Sequence, residues 1–145
     1  MKRVLLFLLI YLFSITSTYA NDRDVRLNQL FNELKVNKTN VAANVAQEIW
    51  SLWSTHPTDQ KLTSILDEGS RLVQDRQLNR AITVFSEAIE LDPTWAEAWN
   101  KRATVFYMVG EFEKSQDDID KVLELEERHF GALAGQGMVN IQLKN

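Results

Sequence analysis

The sequence predicts an all-helical protein, a solenoid of antiparallel helical hairpins, and three observations predict it. Leu62 to Trp95 and Ala96 to His129 can be laid on one another at a 34-residue period, with like residues at like positions. Apolar residues recur at helical spacing along the chain, with no competing strand alternation. Only five Gly and two Pro interrupt 145 residues, which suits helices joined by short turns. In the superposition Gly69 falls on Ala103, Leu72 on Phe106, Ala81 on Ser115, Phe85 on Ile119 and Leu91 on Leu125. Ala88 on Val122 relaxes the size match. A repeat of this length cannot bury its apolar face alone and must stack on a neighbour.

Taken in order, residues 1–20 read as a secretory signal: basic Lys2 and Arg3, the apolar run Val4 to Phe13, and a cleavage site after Ala20 with Thr18 at minus three. Ten apolar residues are too few for a span that needs about 20. Retention as an uncleaved anchor is the alternative. Leu27, Leu30, Phe31 and Leu34 then mark one amphipathic helix, and Val41, Val45, Ile49, Leu52 and Trp53 mark a second after Asn37 to Asn40. His56 and Pro57 end it. Thr58 offers an N-cap for a helix running to Gln74, and Asp75 to Gln77 turn the chain into a helix from Leu78 to Leu91. Asp92 and Pro93 stop that helix. Thr94 and Glu97 have capping-box spacing for a helix from Trp95 to Val109. Gly110 supplies a turn, Phe112 to Glu126 form the next helix, and Phe130 to Leu143 form a last one containing Gly131, Gly135 and Gly137.

Charge and cysteine content narrow the partners. Removing Lys2 and Arg3 with the signal takes the 16 basic residues to 14 against 20 acidic ones, a mature net charge near −6. An acidic chain without a basic cluster argues against nucleic acid and anionic lipid. Absence of cysteine rules out disulfides, lipid modification at cysteine and thiol catalysis.

On the positions quoted above, residues 62–95 and 96–129 resemble the tetratricopeptide repeat (TPR) family. Counting Leu62 as position one, Gly69 stands at eight, Leu72 at eleven, Ala81 at twenty, Phe85 at twenty-four, Ala88 at twenty-seven and Pro93 at thirty-two. In the second repeat Trp99 stands at four, Ala103 at eight, Phe106 at eleven, Phe112 at seventeen, Ser115 at twenty and Ile119 at twenty-four. Val122 and Glu127 depart from the family's alanine and proline. Ala98 to Ala103 and Arg128 to Leu133 are similar to stretches of small exported TPR proteins of Gram-negative, alphaproteobacterial type. The resemblance implies a right-handed superhelix. Residues 130–143, with Leu133 at four and Gly137 at eight, read either as a capping helix or as a truncated third repeat. Residues 24–54 read as a TPR-like hairpin or as unrelated helices, because placing Ala46 at position twenty puts Leu34 where a small residue belongs. Trp50 and Trp53 are expected to pack in the core against Leu62 and Ile65.

In this family the first helix of each hairpin carries the ligand face. The resemblance places Thr63, Leu66, Ser70, Val73 and Gln74 there, followed by Glu97, Asn100, Thr104, Tyr107 and Met108. The basic clamp by which chaperone-type TPR domains hold a terminal carboxylate is missing. Arg102 reads as an aliphatic stem over the hairpin with a solvated tip. Glu126 and His129 have a Glu-x-x-His spacing but lack the second copy that a di-iron site requires. His56 has no partner set, and no phosphate loop or nucleophile motif occurs. Glu111, Glu113, Asp117, Asp118, Asp120, Glu124, Glu126 and Glu127 read as a solvated face, with Lys114 and Lys121 in compensating pairs, or alternatively as a surface for a basic partner.

These readings converge on a non-catalytic protein- or peptide-binding module without cofactor or metal, exported to the periplasm. A membrane-anchored assembly factor and a metal protein using Glu126 and His129 are the alternatives.

Overall fold

A computed structural model describes residues 22–36 and 39–144, and every described element is helical or a turn. The signal expected over residues 1–20 lies outside the described residues. The chain divides into two compact units between Gln60 and Lys61.

The first unit holds α1, residues 22–36, and α2, Thr39–Ser54. They run antiparallel, since Arg23 near the start of α1 donates to the Leu52 carbonyl at 3.1 Å and Arg26 pairs with Glu48 at 2.7 Å. The first of these bonds satisfies an end carbonyl that the helix itself leaves without a donor. Leu27, Leu30 and Phe31 on α1 are buried, as are Val45, Ile49 and Trp53 on α2. The predicted stripe is buried at these six positions, whereas Val41, expected on it, is exposed. The Trp53 ring lies 6.0 Å from Phe31 and meets Trp50 edge-on at 5.6 Å.

His56 closes the turn that follows. Its Nδ1 accepts the backbone N–H of Asp59 at 3.0 Å. Thr58 is consequently not the expected cap, because the next helix begins at Gln60.

The second unit contains α3 (Gln60–Gln74), α4 (Leu78–Leu91), α5 (Ala96–Met108), α6 (Phe112–Leu125) and α7 (Phe130–Leu143). Leu62, Leu66, Leu72, Phe85 and Trp95 belong to one core cluster, against which Trp99 packs. Ala103, Ile119, Val122, Ala132 and Val139 form another farther along the repeats. Small residues set the spacing between paired helices. A Cβ at Gly69 would stand 2.3 Å from Cε1 of the buried Phe85 ring. At the matching place in the second repeat, Ser115 donates its hydroxyl to the Ala103 carbonyl at 2.8 Å.

The 34-residue period is also written in the backbone. Helix α3 ends with Gln77 N–H on the Leu72 carbonyl at 2.8 Å, and α5 ends with Glu111 N–H on Phe106 at 2.9 Å. Both ends place the preceding residue in the left-handed region, Arg76 at φ 59° and Gly110 at φ 82°. Between hairpins, Trp95 N–H bonds the Asp92 carbonyl at 3.3 Å, and His129 N–H bonds Glu126 at 3.1 Å. The expected capping box does not form. Thr94 donates its hydroxyl to Asp92 at 2.6 Å, and Trp95 occupies the cap position without a side-chain bond.

Candidate functional site

Glu97, on the first turn of α5, points inward instead of back to Thr94. Its Oε2 accepts from Nδ2 of Asn100 at 3.0 Å and lies 3.0 Å from Nε2 of His129. Glu97 and His129 are almost fully enclosed. His129 caps α7 at the same time, its Nδ1 accepting the Ala132 N–H at 3.2 Å. Because Nδ1 accepts, the ring proton sits on Nε2 and is donated to Glu97. On the other side, Oε1 lies 3.3 Å from Nζ of Lys101, an ion pair whose alignment falls short of a hydrogen bond. One carboxylate thus joins the start of α5 to the start of α7. His129 occupies the repeat position that Trp95 holds one period earlier, so a polar pair replaces an aromatic filler.

A second buried network crosses the same repeat. Arg102 makes two 2.8 Å bonds to the Asp118 carboxylate on α6 and a 2.9 Å bond to the Ser86 hydroxyl on α4. Its guanidinium lies 5.0 Å from the Trp99 ring and 5.5 Å from Phe106. The tip expected in solvent is instead paired and largely enclosed. Asp118, expected on the solvated acidic face, is buried at the centre of this network. Bidentate pairing of this kind depends on the planar fork of arginine.

Glu126 and His129 do not converge. Glu126 accepts from Nε of Arg128 at 2.7 Å and from its backbone N–H at 3.1 Å. Burial would raise the Glu126 carboxyl, but the side-chain and backbone bonds from Arg128 outweigh it and hold the group below its ordinary 4.5. Among the described residues no three His, Cys, Asp or Glu side chains are grouped to hold a metal.

Beside the Glu97 network, α5 and α7 enclose a cleft of about 60 Å³. Asn100, Thr104 and Tyr107 line it from one helix, and Gly131, Gly135 and Met138 from the other, over a floor that includes Ile119. Its size suits one small side chain, far below the several hundred Å³ of a cofactor pocket. Helix α7 comes close because Gly135 has no side chain, and a Cβ there would meet Ile119 at 3.3 Å.

The residues placed on the ligand face by sequence now separate. Asn100, Thr104 and Tyr107 come together in the cleft, and Met108 and Gln74 are exposed. Thr63, Leu66 and Glu97 are buried and cannot form its surface. Ser70 donates its hydroxyl to the Leu66 carbonyl at 2.9 Å. The α7 contribution was missed, since Gly131 and Gly135 read only as helix weakeners. Counting them as positions two and six of another repeat would have placed them beside α5.

Residues 69–110 match the family model described as TPR repeat. The chain is similar to a TPR repeat-containing protein of Rhizobium etli, 35% identical over 79% of this chain and 56% of that protein. It is also similar to tetratricopeptide repeat protein 36 of Caenorhabditis elegans, 32% identical over 73% of this chain and 58% of the relative. A tetratricopeptide repeat and J domain-containing co-chaperone of Cryptococcus neoformans is 30% identical over 48% of this chain and 13% of its own. The chain therefore spans little more than half the length of the first two of these curated relatives.

Proposed function

On the premise that this chain is a tetratricopeptide-repeat protein, we propose that it is an exported, non-catalytic module that binds a protein or peptide on the face shared by α5 and α7. Such repeats generally mediate protein–protein interaction. The observation that carries the reading is the cleft between α5 and α7, where a buried amide, a hydroxyl and an aromatic ring from α5 face glycines of α7. An acidic surface and a cleft without charged lining favour a partner that presents apolar and backbone groups over nucleic acid.

Export rests on the basic start and short apolar run of residues 1–20. Among the described residues no helix is long and apolar enough to cross a membrane. Mass spectrometry of the mature N-terminus tests this part: a chain starting at Asn21 is expected, and an intact Met1 would refute cleavage and favour the anchored alternative. For binding, affinity capture from envelope extracts compares the wild-type chain with an Asn100→Ala/Tyr107→Ala variant. The variant is expected to lose specific partners, and equal recovery by both proteins would refute the assignment of this face.

A further inference from the structure

We propose that the buried Glu97–His129 pair fixes Asn100 as a hydrogen-bond acceptor, so that the cleft reads an internal stretch of peptide by one backbone N–H beside one apolar side chain, and not a chain terminus. The inference rests on the binding reading above and assigns its chemistry.

A side-chain amide can present either its oxygen or its nitrogen, and its surroundings decide which. Here the decision is made upstream. His129 Nδ1 is occupied by the Ala132 N–H, so Nε2 donates to Glu97 Oε2. A carboxylate only accepts, so Asn100 must turn its NH₂ toward Glu97, where it lies at 3.0 Å. The opposite orientation would press two acceptors together. Oδ1 is left for the cleft.

Asn100 is 7% exposed, and its Oδ1, unpartnered among the described residues, is still reached by solvent. The Thr104 and Ser115 hydroxyls are already committed: Thr104 donates to the Asn100 carbonyl at 2.9 Å and Ser115 to Ala103 at 2.8 Å. The Asn100 group left for the cleft is therefore an acceptor, and a ligand that displaces water from it must bring a donor.

The complementary group on a peptide is its backbone N–H, with the adjacent side chain entering the apolar space between Ile119 and Gly135. A terminal carboxylate would meet an amide oxygen with the Glu97 charge behind it. Lys101, 3.3 Å from Glu97 Oε1, offsets much of that charge but leaves the meeting of two acceptors at Asn100 in place. Glu97 and His129 are positioning residues here, and Asn100 is the residue that touches the ligand.

The test uses the full mature chain and two random dodecapeptide libraries, one fused at its C-terminus and one with free C-termini. Selected peptides are synthesised, and each backbone N–H is methylated in turn for binding measurements. Internal-library binders carrying an apolar residue are expected. Methylation at one position should weaken wild-type binding about tenfold, and should cost nothing further in Asn100→Ala. Glu97→Gln, which keeps an acceptor for Asn100, should retain this dependence, whereas Glu97→Leu should lose it even where thermal melts show a folded protein.

Binders found only with free C-termini and abolished by C-terminal amidation would overturn the acceptor assignment while leaving peptide binding intact. Binders indifferent both to Asn100→Ala and to every methylation would overturn it as well. Absence of binders from both libraries would instead overturn the peptide-binding reading itself.

Discussion

Nε2 of His129 lies 3.0 Å from Oε2 of Glu97, a residue 32 positions earlier, and both side chains are sealed from water. Removing either partner strands the other in a place water cannot reach. Glu97→Leu and His129→Phe are each expected to cost about 2 to 3 kcal/mol. The double variant should cost less than their sum, because it strands neither group. Urea denaturation of all four proteins provides the cycle, and strict additivity would show that the pair is not coupled.

Gly69 and Gly137 predict opposite signs for the same substitution. A methyl at Gly69 would collide with the buried Phe85 ring, whereas nothing lies within 4 Å of a Cβ at Gly137. Gly69→Ala should destabilise by about 1 to 3 kcal/mol. Gly137→Ala should stabilise by about 0.5 to 1 kcal/mol, the ordinary gain in a helix interior. Thermal melts read both, and Phe85→Leu should recover part of the Gly69→Ala loss.

Arg76 holds the left-handed position that Gly110 holds one period later. A side chain there costs about 1 to 2 kcal/mol, and glycine's larger unfolded-state entropy returns part of the difference. Arg76→Gly is therefore expected to raise stability by up to about 1 kcal/mol in denaturant titration. An unchanged or lower midpoint would mean that the Arg76 side chain makes up the strain.

The Glu126–Arg128 interaction gives a pH signature. A carboxyl held below 4.5 in the folded protein favours folding above its unfolded pKa. That contribution fades as pH falls through the lower folded value. Glu126→Gln should consequently be less stable than wild type at pH 7, with the two melting curves converging as the pH falls below 4.5. Its partner Arg128 is 37% exposed, so solvent screens the pair, and the gap should be small and should shrink in salt.

Much of the fold was legible because packing and turn geometry repeat together. Helices α4 and α7 match their expected bounds, and the small-with-large alternation is the observed core. The site was less legible. Thr94 and Glu97 have the spacing of a cap, and no local pattern reveals that Glu97 is claimed by His129 from the next hairpin. Arg102 and Asp118 were misassigned for a similar reason, since a charged residue on a helix is usually solvated. One signal was available: they stand sixteen residues apart, like Gly69 and Phe85 or Ala103 and Ile119, which face one another across a hairpin.

Arg102 reaches Ser86 on one side and Asp118 on the other, so a single side chain on α5 is bonded to the second helix of both repeats. In many repeat arrays the units exchange stability only through apolar contact, and end units fray independently. Here neither repeat can open without stranding part of this network. In native-state hydrogen exchange, α4 and α6 should therefore open in one cooperative event, with slow amides sharing a single free energy. Arg102→Ala should split that event in two, making the guanidinium the latch that turns two modules into one folding unit.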